Sequence, residues 1–461
     1  MILSPHRYCR GCVEKQRALD QLRAEVQRLR AKLRYQERTA REGFFGSATP
    51  SAQVPVKPNS LAERQARRGG ARPGHAGHGR HAVASEAADR CTRIQAPCRC
   101  PGCGGPLRPR KWRRRTVLDS QPVKVDRVVF QVEVRQCARC GRRVTATAPG
   151  VLPRSLYGNQ LLTWVAVQHY LYGQTLGQLE QQTGLACGSL IQALHGLARR
   201  LQPLVPRLIR AYRRAPVKHA DETGWRTDGQ NGYAWLFATP RLSLFRFRAS
   251  RSAAVAREVL GPRRLPGVLV VDRYAAYNRL RVALQYCYAH LLREVQDLEK
   301  EFPDTPEVCA FVAALAPLLA AAMALRNLPG TARQFRRQAR LLRRQILRVI
   351  AAPARHPGIQ KIQTLFREHT ARLYHWARDR QIPADNNLAE RDLRPLVIAR
   401  KVSFGSQSVA GAQTRETLMT ILFSLRKQAP NVAARFKQAL DRLAQNPAQN
   451  PYPLFFPPDS S

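Results

Sequence analysis

The run GVLVVD, which ends at Asp272, constrains the fold more than any other stretch of the chain. Continuous apolar strands are typical of sheets covered on both faces, and α/β sheets place functional side chains at the carboxyl ends of such strands. Three short runs rich in aromatic and apolar residues precede it: VKHADETGW, GYAWLFATP and LSLFRFRAS. They predict an antiparallel meander, followed by a helix over SAAVAREVL. The sequence therefore predicts an α/β domain.

Two acids fall on the predicted strands. Asp221 lies near the middle of the first run, and the adjacent Glu222 is expected to point to the opposite face of the sheet. Asp221 and Asp272 can thus approach each other on neighbouring strands. Two close carboxylates repel unless a cation lies between them, and all-oxygen sites suit Mg²⁺ or Mn²⁺. The pattern predicts a divalent-metal site that needs a third acid.

A candidate third acid lies in NNLAERDLRPLVIARK, after a long helical segment over about residues 298–380. A helix that begins at Asn387 places Glu390 on its first turn and Arg394, four residues later, on the same face. Taken alone, a glutamate among arginines is more often half of a surface ion pair. With two further acids in suitable contexts, the metal-ligand interpretation is favoured.

The chain of 461 residues has a formal net charge of +46, far more than solubility requires. A field of this sign concentrates polyanions, so nucleic acid is the expected partner, although an arginine-rich proteome would explain part of the excess. The 11 cysteines are too few for a disulfide scaffold and indicate a reducing compartment. The first residues show no apolar signal core. The uncharged residues 308–325 include Pro317 and many alanines, so we expect a buried helix rather than a membrane span, in a cytoplasmic protein.

Paired cysteines predict a second metal site. Four of them form two CxxC pairs, each followed by glycine: Cys100, Cys103, Cys137 and Cys140. Four thiolates satisfy tetrahedral Zn²⁺, so this region is predicted to be a zinc ribbon with one structural ion. Cys98 lies two residues before the first pair and could compete as a ligand.

Helical patterns lie on both sides of the cysteine region. Near the N-terminus, apolar residues recur at alternating intervals of four and three: Leu22, Val26, Leu29 and Leu33. This heptad seam predicts either a coiled coil that joins two chains or an amphipathic helix packed on its own domain. In TLGQLEQQTGLACGSLIQALHGLARR we expect two helices around Gly184, either as a helix-turn-helix or as a helical hairpin without a DNA role.

Several motifs occur in a fixed order: HADETGW, VVDRYAAYN, CYAHLLRE and NNLAERDLRP…ARKVSFGS. In this order they resemble the transposases of the IS66 insertion-sequence family. The resemblance extends to the short coiled coil, the GHAGHGR linker and the four-cysteine ribbon, whereas the pair Cys9 and Cys12 departs from it. It implies an RNase H-like core with a helical insertion before the last acid. Asp221, Asp272 and Glu390 would form a DDE triad that binds two Mg²⁺ or Mn²⁺ ions.

Basic and polar side chains near Glu390 are predicted to contact DNA: Asn386, Asn387, Arg391, Arg394, Arg400 and Lys401. His290, in CYAHLLRE, is expected to orient water or contact DNA, or to be a satisfied core histidine.

On this interpretation the protein is a DNA transposase that cleaves insertion-sequence ends and joins the resulting 3′-hydroxyl to target DNA. A homodimer or larger assembly on DNA is expected, with accessory proteins of the same element as further candidate partners, in or near a bacterial nucleoid and not at a membrane. Two alternatives are an inactive zinc-ribbon DNA-binding protein and a structure-selective nuclease of the same fold that cuts but never joins.

The predicted fold class is thus a multidomain α/β protein. Its predicted parts are an N-terminal helix or coiled coil (1–42), a basic linker (43–90), a zinc ribbon (91–150), a helix-turn-helix-like region (151–212), an RNase H-like catalytic domain (213–428) and a C-terminal helix and tail (429–461).

Overall fold

In the computed structural model, the described residues are 14–15, 17–27, 103, 105–106, 125–131, 133–136, 140, 143–145 and 148–457. The chain divides into two compact units, Met1–Ala48 with Val125–Ser461 and Thr49–Lys124, and every element named below belongs to the first. Residues 17–27 are helical and expose Leu22 and Val26, whereas Leu29 and Leu33 lie outside the described residues. The coiled coil therefore stays a prediction.

A short hairpin and a helical region precede the main sheet. Strands β1 (Val134–Gln136) and β2 (Arg143–Thr145) pair antiparallel. The helices that follow are α1 (Asn159–Ala166), which continues as a π-helical turn (Val167–Leu171), α2 (Leu176–Thr183), α3 (Cys187–Leu201) and α4 (Leu204–Arg214). The two helices predicted around Gly184 are confirmed. Gly184 ends α2 with φ at 68°, a left-handed conformation that glycine adopts without steric cost.

A five-stranded mixed sheet forms the centre of the molecule. Its strands are β3 (Val217–Thr227), β4 (Gln230–Ala238), β5 (Ser243–Arg248), β6 (Val268–Val271) and β7 (Ala283–Tyr286), with helix α5 (Ala253–Leu260) between β5 and β6. The spatial order is β5-β4-β3-β6-β7. The first three strands are antiparallel, and β6 and β7 run parallel to β3. The predicted meander and the buried apolar strand are confirmed, since Leu269, Val270 and Val271 have no exposed surface.

Nine helices complete the described chain after β7. They are α6 (Tyr288–Glu301), α7 (Pro306–Leu325), α8 (Ala332–Ala351), α9 (Pro357–Glu368), α10 (Thr370–Leu373), α11 (Asn387–Ser403), α12 (Val409–Arg426), α13 (Val432–Gln445) and α14 (Tyr452–Phe455). The helical segment begins at Tyr288, earlier than predicted, because Tyr288, Leu291 and Val295 already follow a helical period and are buried.

Helix α7 is the apolar segment that the sequence singled out. Among the described residues it alone has the length and composition to cross a membrane, with a mean hydropathy of 2.4, and 39% of that window is buried inside the protein. It packs between α6 and α8, and its side chains Leu315 and Leu319 have no exposed surface. An amphipathic partner on each side accounts for part of this apolar surface.

Helix α12 covers the free edge of strand β5. The backbone N–H groups of Ser243, Phe245 and Phe247 donate to Ser424 Oγ (3.1 Å), Thr420 Oγ1 (3.0 Å) and Glu416 Oε2 (3.1 Å). Four residues of a helix rise about 6 Å, close to the length of two residues in a strand, so acceptors four apart meet every second N–H. The α12 side chains thereby satisfy the N–H groups of an edge strand that could otherwise pair with another chain.

Gly405 lets the chain after α11 approach the end of β3. Its φ is 130°, and a Cβ atom there would lie 2.3 Å from the carbonyl oxygen of Arg226. The next residue, Ser406, donates its N–H to the same carbonyl (2.9 Å), and its hydroxyl accepts from Trp225 Nε1 (3.2 Å). The C-terminal end of α11 is therefore fixed on β3.

Candidate active site

Asp221 and Asp272 are placed side by side by the register of two parallel strands. Val217 pairs with Val268, and His219 pairs with Val270. Two residues further on, the same register brings Asp221 level with Asp272, which directly follows β6. Backbone N–H groups orient both carboxylates, since Glu222 N donates to Asp221 Oδ1 (3.0 Å) and Tyr274 N donates to Asp272 Oδ1 (2.9 Å).

Glu390 is brought to the two aspartates by the N-terminus of α11. The helix begins at Asn387, as predicted, and Glu390 lies in its first turn. The preceding residue, Asn386, is fully buried and fixes this end: its Nδ2 donates to Ala220 O, and its Oδ1 accepts from His219 Nδ1, both at 2.9 Å. Its backbone N–H donates to Cys287 Sγ (3.1 Å). Helix α11 is thus held next to Asp221 by a bracket of buried hydrogen bonds.

The hydrogen bonds of Asn386 depend on His219 being neutral. Desolvation lowers the pKa of His219 to about 4, so the ring is uncharged at neutral pH. The Asn386 carbonyl oxygen can only accept, which assigns the His219 proton to Nδ1. The prediction that Asn386 contacts DNA is corrected, because a side chain with no exposed surface and both amide atoms bonded has a structural role.

The acids influence one another strongly. Burial raises the pKa of Asp221 well above its ordinary value, and the charges of Glu222, Asp272 and Glu390 raise it further. Among the residues that the structure describes, Oε1 of Glu390 is buried without a hydrogen-bond partner. Carboxyl groups gathered around a buried Asp221 need protons or cations among them.

Glu222 is a fourth acid that the sequence did not assign to the site. Its carboxylate accepts from Arg251 (2.7 and 2.9 Å) and from the hydroxyl of Tyr277. Burial and the charge of Asp272 raise its pKa to about 7, against the opposing effects of Arg251 and Tyr277. The Arg251 guanidinium also lies over the ring of Tyr274. Because Arg251 lies 29 residues away in the chain, no local pattern could have indicated this pairing.

His290 and Cys287 approach Glu390 from the start of α6. His290 Nδ1 lies 3.8 Å from Glu390 Oε1, and neither atom has a hydrogen-bond partner among the described residues. Cys287, His290 and Glu390 each offer one ligand atom, and these three atoms all lie within 4.8 Å of one another. The group could therefore hold a metal ion. Burial lowers the pKa of His290, against the opposing charge of Glu390. His290 is therefore a half-buried neighbour of the acids rather than a satisfied core histidine.

Basic side chains lie along a cleft beside Glu390. This cleft has a volume of about 1310 Å³, and Arg391, Arg394 and the exposed Asn387 line it together with Glu390. Lys401 is exposed further along α11. Arg400 instead donates to Thr223 Oγ1 (2.9 Å) and Gly224 O (2.8 Å), which ties α11 to β3. Of the predicted DNA contacts, Asn387, Arg391, Arg394 and Lys401 are open to a ligand, whereas Arg400 also has a bracing role.

The predicted zinc ligands fall largely outside the description. Cys103 and Cys140 are described and exposed, whereas Cys100 and Cys137 lie outside the described residues, as do Cys9, Cys12 and Cys98. The zinc ribbon stays a prediction.

Fold and site together define an α/β protein with a cluster of acids beside a basic cleft, features typical of proteins that act on nucleic acid. The model of the transposase IS66 family matches residues 154–414, more than half of the chain, and the chain belongs to this family.

Two curated relatives come from Sinorhizobium fredii. Uncharacterized protein y4qI is 26% identical over 345 residues, which cover 66% of this chain and 62% of that protein. Uncharacterized protein y4jD is 25% identical over 275 residues, which cover 53% of each. The chain therefore spans between half and two thirds of the length of these relatives.

Proposed function

We propose that this protein is a DNA transposase that hydrolyses phosphodiester bonds at insertion-sequence ends and transfers the 3′-hydroxyl to target DNA, with Asp221, Asp272 and Glu390 as its catalytic triad. One observation carries the proposal: two aspartates lie level on adjacent parallel strands, and a separately braced helix brings a glutamate to them. Burial and the charges of Glu222, Asp272 and Glu390 raise the pKa of Asp221, and carboxylates gathered in this way form a site suited to divalent cations.

The order of the strands supports an RNase H-like core. Three antiparallel strands are followed by two strands parallel to the first, and α11 then returns to β3 carrying the last acid. Helices α6 to α10 separate the second acid from the third, which agrees with a helical insertion at this position.

The donor set fits Mg²⁺ or Mn²⁺. All three acids offer carboxylate oxygens, and Glu390 has a buried oxygen for which the described part of the chain supplies no hydrogen-bond partner. Divalent ions bound there would polarise the scissile phosphate and lower the pKa of the attacking water or 3′-hydroxyl. Asp221, Asp272 and Glu390 are the residues that would hold them.

The remaining side chains have supporting roles in this proposal. The ion pair with Arg251 neutralises the charge of Glu222 and uses one of its carboxylate oxygens. In this proposal Glu222 therefore stabilises β3 and is not a metal ligand. Arg391 and Arg394 bind phosphates of the strand that enters the cleft. His290 lies 3.8 Å from Glu390 and orients a water or a phosphate oxygen there.

The regions outside the sheet complete the proposal. The zinc ribbon with its single Zn²⁺ and the α2–α3 pair recognise element ends, and the N-terminal helix joins two chains on DNA. Accessory proteins of the same element would assist this assembly.

The test is an assay of cleavage and joining in Mg²⁺ on labelled DNA that carries the element ends. Asp221→Asn, Asp272→Asn and Glu390→Gln are each expected to lower both steps on the order of a hundredfold or more, with end binding retained. Asp304→Asn and Glu368→Gln, two exposed acids of the helical insertion, are matched controls expected to keep full activity.

Different failures of this assay point to different functions. Cleavage without joining would replace the transposase by a nuclease. Bound ends without cleavage, even when the other proteins of the element are supplied, would favour a DNA-binding protein with an inactive core. Full activity of any triad variant would remove that residue from the triad.

A further inference from the structure

Helix α8 carries a straight row of arginines that the proposed active site does not use. Its twenty residues include seven arginines and no acid. Five of the arginines recur at intervals of three or four: Arg333, Arg337, Arg340, Arg344 and Arg348. At 100° per residue they fall within about 80° of one another, and they extend over about 22 Å of the helix. We call these five residues the arginine row.

The arginine row points away from the protein. All five side chains are exposed, whereas Phe335, Ala339, Ile346 and Ile350 on the opposite face are buried. Among the residues that the structure describes, none of the five forms an ion pair or a side-chain hydrogen bond. A helix normally interleaves acids with its exposed basic residues to limit repulsion, so an uncompensated row implies an anionic partner.

The row is attached firmly to the scaffold of the active site. Arg343, on the inner side of α8, places its guanidinium 5.0 Å from the ring centre of Tyr374. The neighbouring Leu373 carbonyl accepts from the hydroxyl of Tyr288 (2.7 Å), the first residue of the helix that carries His290. A ligand on the row is therefore held in a fixed position relative to the triad.

We infer that the arginine row is a binding surface for duplex DNA, and that its occupant is the target DNA into which an element end is joined. One arginine per helical turn suits a line of phosphates. Within about 40° of the row on either side the helix also carries Arg336, Leu341, Leu347, Ala351 and Gln334. Gln334 is the one side chain in this group of the Asn, Gln, Ser or Thr kind that reads bases alongside arginine, and its Oε1 already accepts from the Thr331 N–H in the capping box of the helix. Element ends must be distinguished from other DNA, whereas target DNA of varied sequence needs contacts of this uniform kind.

The experiment replaces all five arginines of the row by glutamine, which preserves helix propensity. Binding of a random-sequence duplex is measured by fluorescence anisotropy at several salt concentrations. We expect binding at least tenfold weaker at about 100 mM salt and a shallower salt dependence, with a log–log slope reduced by about 2 or more. A variant with lysine at the five positions should keep most of the affinity and slope.

A matched control removes the same charge elsewhere. Glutamine at five other exposed arginines, Arg210, Arg214, Arg263, Arg264 and Arg442, should change binding much less. Equal losses in the two variants would show that total charge rather than the row binds DNA, and would overturn the inference. Thermal unfolding of each variant verifies that the helix is intact.

Two further assays, of joining and of nicking, test whether the DNA bound by the arginine row is target DNA. They rest on the proposed function. Joining of a precleaved element end to limiting target DNA should fall at least tenfold in the glutamine variant, while nicking of uncleaved ends stays unchanged. A parallel loss of nicking and of end binding would assign the row to element ends and overturn the target assignment. If the wild type neither nicks nor joins, the proposed function fails, and the anisotropy arm alone still confirms or refutes a DNA-binding row.

Discussion

Asp221 shows at the scale of single residues how the site holds conflicting charges. Its pKa is raised by its own burial and by Glu222, Asp272 and Glu390. Glu222 is compensated by Arg251, whereas Asp272 and Glu390 are the acids proposed to share a cation with Asp221. The unliganded site is therefore strained electrostatically, in the manner of functional sites that trade stability for activity.

Replacing Asp221 by asparagine should stabilise the metal-free protein. The substitution removes one opposing charge at nearly constant volume, so we expect a gain on the order of 1 kcal/mol in the free energy of unfolding, or a few degrees in melting temperature. Calorimetry with and without Mg²⁺ measures this. The wild type should gain stability on adding Mg²⁺ and the variant should gain much less; a variant that is less stable than wild type without metal would contradict the argument.

At the scale of elements, helices complete the sheet and position the site. Helix α11 is anchored to β3 at its start through Asn386 and at its end through Gly405 and Ser406. Helix α12 supplies the acceptors that the outer edge of β5 lacks. Apart from Glu416, each of these anchors uses a short polar side chain or a glycine, because backbone groups must be reached directly.

Thr420→Val tests the closure of the edge strand. Valine keeps the shape of the side chain but removes the acceptor for the Phe245 N–H, and a buried donor without a partner costs about 1–3 kcal/mol. Urea unfolding should show a loss of that size, and hydrogen exchange at the Phe245 amide should become faster. Thr420→Ser keeps the hydroxyl and should preserve the slow exchange. Unchanged exchange in the valine variant would show that α12 does not satisfy this edge.

At the scale of the whole molecule, the predicted boundary near residue 212 does not separate independent bodies. The helical region packs against α12 and α13, and its buried side chains belong to the same apolar core as the sheet. Asn159 donates to Asp441 Oδ1 (2.9 Å) across 282 residues of sequence. His169 joins the π-helical turn to α12: its Nδ1 donates to Gln174 O (2.7 Å), and its Nε2 accepts from Arg415 (3.3 Å).

Acid should weaken this junction. Burial and then Arg415 lower the pKa of His169 to about 4, and protonation would also remove the acceptor that Arg415 uses. A histidine whose folded pKa is lowered binds its proton more readily when unfolded. Its contribution to stability is therefore full above about pH 6.5, falls as the pH drops from about 6.5 to about 4, and is constant below that.

Melting temperatures measured between pH 7 and pH 4 test this for wild type and His169→Gln. The variant should be less stable at pH 7 and should lose less stability as the pH falls, by a few kcal/mol at most. His219, whose pKa is also lowered to about 4, remains in both proteins and accounts for a shared decline. Parallel pH profiles of the two proteins would exclude His169 as the group that titrates.

Local patterns were sufficient for much of the architecture. The aromatic runs predicted β3 to β5, the run ending at Asp272 predicted a strand covered on both faces, and Asn387 was predicted as the start of α11. These features depend on side-chain periods and caps within about ten residues, which the chain expresses directly. The early start of the helical insertion differs from the prediction, because the residues of CYAHLLRE form the N-cap and first turns of α6.

By itself, then, the sequence determined the strands, the three acids and the strongly basic character of the surface. Only the tertiary structure decided that Glu222 pairs with Arg251, that Asn386 is a buried bracket instead of a DNA contact, and that α12 closes the edge of β5. These contacts join residues from 29 to 181 positions apart. A buried polar group must form a hydrogen bond with whichever group packs opposite it in the folded chain. Packing therefore selects the partners in these contacts, and no local sequence pattern contains that information.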